Sequence, residues 1–144
     1  MIPKMPAKLA INKLTHRNIR PYGIIIDARR IAKRRRNAFG IILKERSKGW
    51  RIGYLVVRER IIERLESHPD SFETFEPVVG RTIIAFAPNK RPDKVKVFRL
   101  DRPVIIKKGV WHEVAAISGH AEIKIFENIE VKVKYHFLKK AIKA

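Results

Sequence analysis

Thr82-Ile83-Ile84-Ala85-Phe86-Ala87, then Pro88-Asn89-Lys90-Arg91-Pro92-Asp93-Lys94, then Val95-Lys96-Val97-Phe98-Arg99-Leu100 decide the fold class. Two short runs, rich in apolar residues, flank a break punctuated by prolines. Each run is shorter than the roughly ten residues a helix needs and carries β-branched and aromatic side chains, so both read as strands. The pattern extends in both directions. Apolar runs recur at Ile52 to Val57, Val104 to Ile106, Val114 to Ile117 and Ile123 to Phe126, with Gly80, Lys108-Gly109 and Ser118-Gly119 as separators. That spacing belongs to a sandwich or barrel rather than to βαβ units. Ile129-Glu130-Val131-Lys132-Val133-Lys134-Tyr135 alternates strictly and is expected to be a half-exposed strand. Arg58 to Glu66 fits a strand and a helical stripe about equally, and is taken as a strand.

The chain of 144 residues is expected to form one domain over 1–144. Residues 1–20 form a lead-in segment, Pro21-Tyr22-Gly23 precedes the first strand at Ile24-Ile25-Ile26, and 138–144 is a basic tail. The absence of cysteine excludes disulfides and thiolate sites and points to a cytoplasmic protein. No run approaches the roughly 20 apolar residues a membrane-spanning helix requires.

The formal charge is +19, and residues 1–60 carry 17 Lys/Arg against 3 Asp/Glu, a net of +14. A field of that sign favours anionic partners: nucleic acid, acidic lipid or carboxylate metabolites. Six cations, Arg29, Arg30, Lys33, Arg34, Arg35 and Arg36, crowd the stretch 28–37, read as an exposed loop or short helical turn. They form a possible nucleic-acid surface, although no aromatic residue interleaves them to stack on bases. A solvated loop or a subunit contact is the other reading.

The chemistry concentrates in two places. In Glu66-Ser67-His68-Pro69-Asp70-Ser71-Phe72-Glu73, Glu66 and His68 project from one face of a strand and Glu73 follows a turn. In Lys108-Gly109-Val110-Trp111-His112, a glycine turn leads into a strand on which Val110, His112 and Val114 share a face. Two imidazoles with one or two carboxylates suit Mn, Fe, Ni or Zn. By spacing alone the two histidines fit equally well as a turn residue and a hydrogen-bonded barrel residue.

His68, Glu73 and Gly80 are spaced like the end of the first cupin motif, with Glu66 where its first histidine stands. Gly109 and His112 resemble the core of the second motif, with Lys107 in place of proline. More narrowly, Pro21-Tyr22-Gly23, Leu65-Glu66-Ser67-His68-Pro69, Phe75-Glu76-Pro77-Val78-Val79-Gly80, Pro92-Asp93 and Gly109-Val110-Trp111-His112 occur in the order found in ureidoglycolate lyases. The resemblance covers roughly residues 14–128; Glu113 and Val114 stand where that family commonly has histidine and proline.

This resemblance implies a mainly β, cupin-type double-stranded β-helix (jelly-roll) barrel with a short irregular or helical N-terminal segment, usually a homodimer. It implies elimination of urea from ureidoglycolate to give glyoxylate, a step of purine (allantoin) catabolism. In that reading one divalent transition metal (Mn, Ni, Fe or Zn) is held by His68, Glu73 and His112. Glu66 or Glu73 acts as the base, and Arg64 pairs with the carboxylate of the small-acid substrate. A non-catalytic cupin that binds a small acid remains the alternative.

Overall fold

The computed structural model describes residues 5–144. The strands are β1 (Ile11–Asn12), β2 (Gly23–Ile25), β3 (Trp50–Val57), β4 (Ile61–Ser67), β5 (Glu73–Val79), β6 (Thr82–Ala87), β7 (Lys96–Leu100), β8 (Val104–Ile106), β9 (Trp111–Ala116), β10 (Ala121–Asn128) and β11 (Lys134–Lys143). A 3-10 turn, Ala28–Arg30, is the one helical element among the described residues. Two sheets result, ordered β1-β7-β6-β9-β4-β11 and β2-β8-β5-β10-β3. From β3 to β6 and again from β7 to β11 the chain crosses from one sheet to the other at each strand, and this winding is the expected jelly-roll barrel.

The position of β6 explains why Ile83 to Ala87 are continuously apolar. The strand lies between β7 and β9 and is buried on both faces. Ile84 and Phe86 enter the core between the sheets, while Ile83, Ala85 and Ala87 pack in a second cluster with Leu65, Trp111 and Ile142. The N-terminal segment completes the inner core: Tyr22 stacks on Phe86 with ring centroids 5.2 Å apart and meets Phe98 edge-on at 5.9 Å. Val110 and Val114 enter the same core, which turns His112 between them inward.

Three expectations need correction. Ile129 to Val133 is not a strand, since β11 begins at Lys134. The alternation there has no apolar surface to face, and both Ile129 and Val133 are exposed. Residues 138–143 are not a tail: they continue β11, with Ile142 buried and Lys143 N–H donating to the Ala7 carbonyl. The lead-in segment contributes Ile11–Asn12, paired parallel to β7, ahead of the strand at Gly23–Ile25. β5 drew no strand reading because Pro77 and two glutamates interrupt its apolar pattern. Arg58 to Glu66 resolves as the approach to β4 and most of that strand.

Gly80 joins β5 to β6 with φ +72°, and a Cβ there would lie 2.4 Å from the His120 carbonyl oxygen. Left-handed backbone and lack of space together make this position intolerant of a side chain. Gly80→Ala is expected to lower unfolding free energy by about 2 kcal/mol or more. Gly119→Ala, where a Cβ meets nothing within 4 Å, should stay within about 1 kcal/mol of the parent. Denaturant titration of the pair checks both.

Candidate metal centre

Glu66 ends up opposite His112 because β4 and β9 are neighbours in register. His68 follows immediately after β4, and the Gly109 N–H donates to its carbonyl at 2.9 Å, tying the two histidine segments together. Gly109 adopts φ +78° to make this turn. Glu73 arrives from the other sheet, at the start of β5. The winding of the barrel therefore delivers all four side chains to one end of the core.

His68 Nε2 lies 2.6 Å and His112 Nε2 3.1 Å from the same oxygen, Glu73 Oε1. The two imidazole centroids are 5.2 Å apart, and Phe75 meets the His112 ring edge-on at 5.5 Å. Burial is near-complete: His68 is 6% exposed, Glu73 3% and His112 1%; Glu66 is half-buried. Short as these contacts are, their alignment is poor for hydrogen bonding, and Glu73 Oε1 and His112 Nε2 remain without a hydrogen-bond partner. The attraction between the carboxylate and the two imidazoles holds the cluster together.

The other ring nitrogens are directed. His68 Nδ1 lies 3.0 Å from the Lys132 carbonyl oxygen, and His112 Nδ1 lies 3.0 Å from that of Val110. A carbonyl only accepts, so each Nδ1 carries the proton and each Nε2 is the nitrogen available inside the barrel. Segment 129–133, the mistaken strand, supplies one of these carbonyls.

Burial alone pushes the Glu73 carboxyl up, but the imidazoles of His112 and His68 outweigh it and bring it down to about 2. Burial pushes His68 down, yet the Glu73 carboxylate dominates and lifts it to about 9. His112 is raised by the same carboxylate against its own burial. Without metal, the centre is thus a buried carboxylate compensated by imidazolium, an arrangement in which removing one partner strands the other charge.

The donor set fits a divalent transition metal. Glu66, His68 and His112 each offer a ligand atom, all within 4.8 Å of one another, and Glu73 Oε1 stands against both Nε2 atoms. The unpartnered His112 Nε2, the Nδ1 tethers that aim both lone pairs inward, and two carboxylates to balance charge are what such an ion requires.

Other sequence-predicted residues lie elsewhere. Arg64 does not join the cluster: it is exposed, with its guanidinium 4.2 Å above the Tyr135 ring, in a cavity of about 500 Å³ shared with Glu113 and Val114. Arg29 and Arg30 sit in the 3-10 turn, and Lys33, Arg34, Arg35 and Arg36 in the following loop, all exposed. Sequence reading missed Glu127. It pairs across from Glu73 in register, and burial together with the Glu73 charge raises its carboxyl, partly offset by Arg51 at 2.9 Å. Its signal is a carboxylate at an inward position of Ile123-Lys124-Ile125-Phe126-Glu127.

The signs of these shifts fix a pH dependence for the metal-free protein. Glu73, lowered from 4.5 to about 2, contributes stability that is complete above 4.5 and lost as pH falls toward 2. His68, raised from 6.5 to about 9, contributes stability that is complete below 6.5 and lost as pH rises through 9. The melting temperature of chelator-treated protein relative to His68→Gln is therefore expected to be highest between pH 4.5 and 6.5 and to shrink by pH 9. Metal affinity should run the opposite way and rise over the alkaline range, because the imidazoles must shed protons to ligate.

No protein-family model matches the sequence, and no curated protein resembles it significantly. Solved structures do. The chain is similar to Peruvianin-I, a cysteine peptidase from Thevetia peruviana latex, with TM-score 0.53 and 18% identity over 62% of this chain and 57% of that one. It is also similar to the capsular polysaccharide assembling protein CapF of Staphylococcus aureus, with TM-score 0.52 and 16% identity over 75% of this chain and 33% of that one. The chain thus spans little more than half of the first and a third of the second. Such likeness shows the fold: this chain is built as a cupin-type double-stranded β-helix.

Proposed function

We propose that the chain is a metal-dependent cupin enzyme acting on a small carboxylate, with cleavage of ureidoglycolate to glyoxylate and urea as the candidate reaction. The observation that supports it is the convergence of two tethered Nε2 atoms on one buried carboxylate oxygen, Glu73 Oε1. In this reading His68, His112 and Glu73 hold the ion. Glu73, kept ionised down to about pH 2, is too weak a base to take a carbinol proton and serves as ligand and charge balance.

Glu66 is the better base. It is less buried than Glu73 and shares the face of His68. Its carboxylate takes the carbinol O–H proton, the freed electron pair closes the carbonyl of glyoxylate, and the C–N bond breaks. The departing urea nitrogen takes the proton back from Glu66, so the reaction balances without another reagent. A bound metal would supply positive charge where the carbinol oxygen becomes anionic. Arg64 would exchange its place over Tyr135 for a two-pronged contact with the substrate carboxylate.

The test separates ligands from base. Protein isolated without chelators is expected to contain a transition metal, and Mn- or Ni-loaded protein to release urea and glyoxylate. Glu66→Gln should keep the metal and lower kcat by about 10²–10⁴, whereas His112→Ala should lose both. Metal retention with no release under Mn, Ni, Fe or Zn would remove ureidoglycolate as the substrate; loss of metal in Glu66→Gln would make that residue a ligand instead of the base.

A further inference from the structure

The outer surface of the β2-β8-β5-β10-β3 sheet is unlike that of an ordinary soluble barrel. β3 is an edge strand of that sheet, and its outward positions are apolar where a solvated edge usually carries charge. Trp50 is 62% exposed and stacks on Phe126, itself 42% exposed, with centroids 5.2 Å apart. Beside them the loop after the basic turn presents Phe39, 89% exposed. These three rings line one cleft of about 520 Å³, with Lys44 also in its wall.

Cations surround the rings. Lys44, Arg46 and Lys48 run into Trp50, and Lys33 to Arg36 run into Phe39; all are exposed, and none has an acidic partner among the described residues. Three acids nearby are paired with other cations: Glu76 with Lys124, Glu45 with Lys108 and Glu127 with Arg51. A second cleft of about 500 Å³ gathers Arg20, Arg29, Arg30 and Lys107. Ile25 faces this cleft and Ile26 the aromatic one, so the two adjoin along the chain. In the sequence the basic run had no stacking partner; folding brings Trp50 of β3 and Phe126 of β10 into one cleft with Phe39, three residues beyond that run.

Exposed rings flanked by unpaired cations match single-stranded nucleic acid, whose bases offer π-faces and whose phosphates offer charge at regular intervals. A duplex hides its bases, and an acidic protein has no faces to stack. The cleft is lined mainly by apolar side chains, with Lys44 in its wall, which favours bases inside it and backbone beside the cations. We infer that this face binds single-stranded RNA or DNA, with bases stacked on Trp50, Phe126 and Phe39 and phosphates on the 33–36 and 44–48 cations. Glu73 borders this cleft as well as the metal centre, but the inference rests on the exposed rings and cations and stands or falls without the metal chemistry.

Fluorescence anisotropy of full-length protein with labelled oligouridine, oligothymidine, a DNA duplex and polyglutamate tests it. Single strands should bind at least about ten-fold tighter than duplex or polyglutamate, with affinity falling steeply with salt. Trp50→Ala and Phe39→Ala should each weaken binding by about ten-fold, and Trp50→Phe should restore most of it. Unchanged melting temperatures would show these variants folded, and quenching of Trp50 fluorescence in the parent protein reports stacking without any substitution. Glu66→Gln should bind as the parent does. Preference for oligouridine or oligothymidine identifies the natural strand as RNA or DNA. Equal affinity for duplex and polyglutamate with a silent Trp50→Ala would reduce the face to general polyanion attraction and overturn the inference, as would absence of binding to any strand.

Discussion

The carboxylate of Glu73, buried between two imidazoles, is the constraint on which the rest of the molecule depends. A charge at 3% exposure is costly unless it is compensated in place. Compensation here requires a turn after β4, a glycine turn before β9 and the first residue of β5 to meet at one barrel end. The Gly109–His68 hydrogen bond, the pairing of Glu66 with His112 and the closure of segment 129–133 over His68 all serve that meeting. Phe75 and the apolar residues beneath keep water out, which strengthens every charge interaction inside.

The same arrangement explains why the centre suits a cation. Two imidazoles tethered through Nδ1 to backbone carbonyls have their Nε2 atoms aimed inward before any ligand arrives. In the metal-free state those nitrogens meet Glu73 as charged partners; with a metal present they would meet it as neutral ligands, and the protons would leave. Folding stability and metal affinity therefore draw on the same groups in different protonation states, and pH separates them.

Much of this was legible in the sequence, for definite reasons. β6 is buried on both faces, so the five residues after Thr82 could not avoid being apolar, and turn residues marked most strand ends. The histidine and glutamate positions stood out because they interrupt strands with groups that cannot be buried cheaply. What stayed hidden was long-range. Ile129 to Val133 alternates like a strand but has no neighbour to pair with. Glu127 gains its significance only from lying across from Glu73, and Trp50 and Phe126, far apart in the chain, stack only after β3 pairs with β10. Arg64 was read from strand parity, which does not foresee that Tyr135 on the adjacent strand holds its guanidinium.

The exposed cations of the N-terminal half and the metal centre belong to one scaffold, the former at the surface and the latter between the sheets. The account's central claim concerns the second: that His68 and His112 present Nε2 to a common cation alongside carboxylate oxygen. X-ray absorption spectroscopy of protein loaded with one equivalent of Mn, Ni or Zn measures that shell directly. The account predicts nitrogen and oxygen ligands at about 2.0–2.2 Å with the outer-shell scattering of two imidazoles. A shell of oxygen alone, or with a single imidazole, would contradict it.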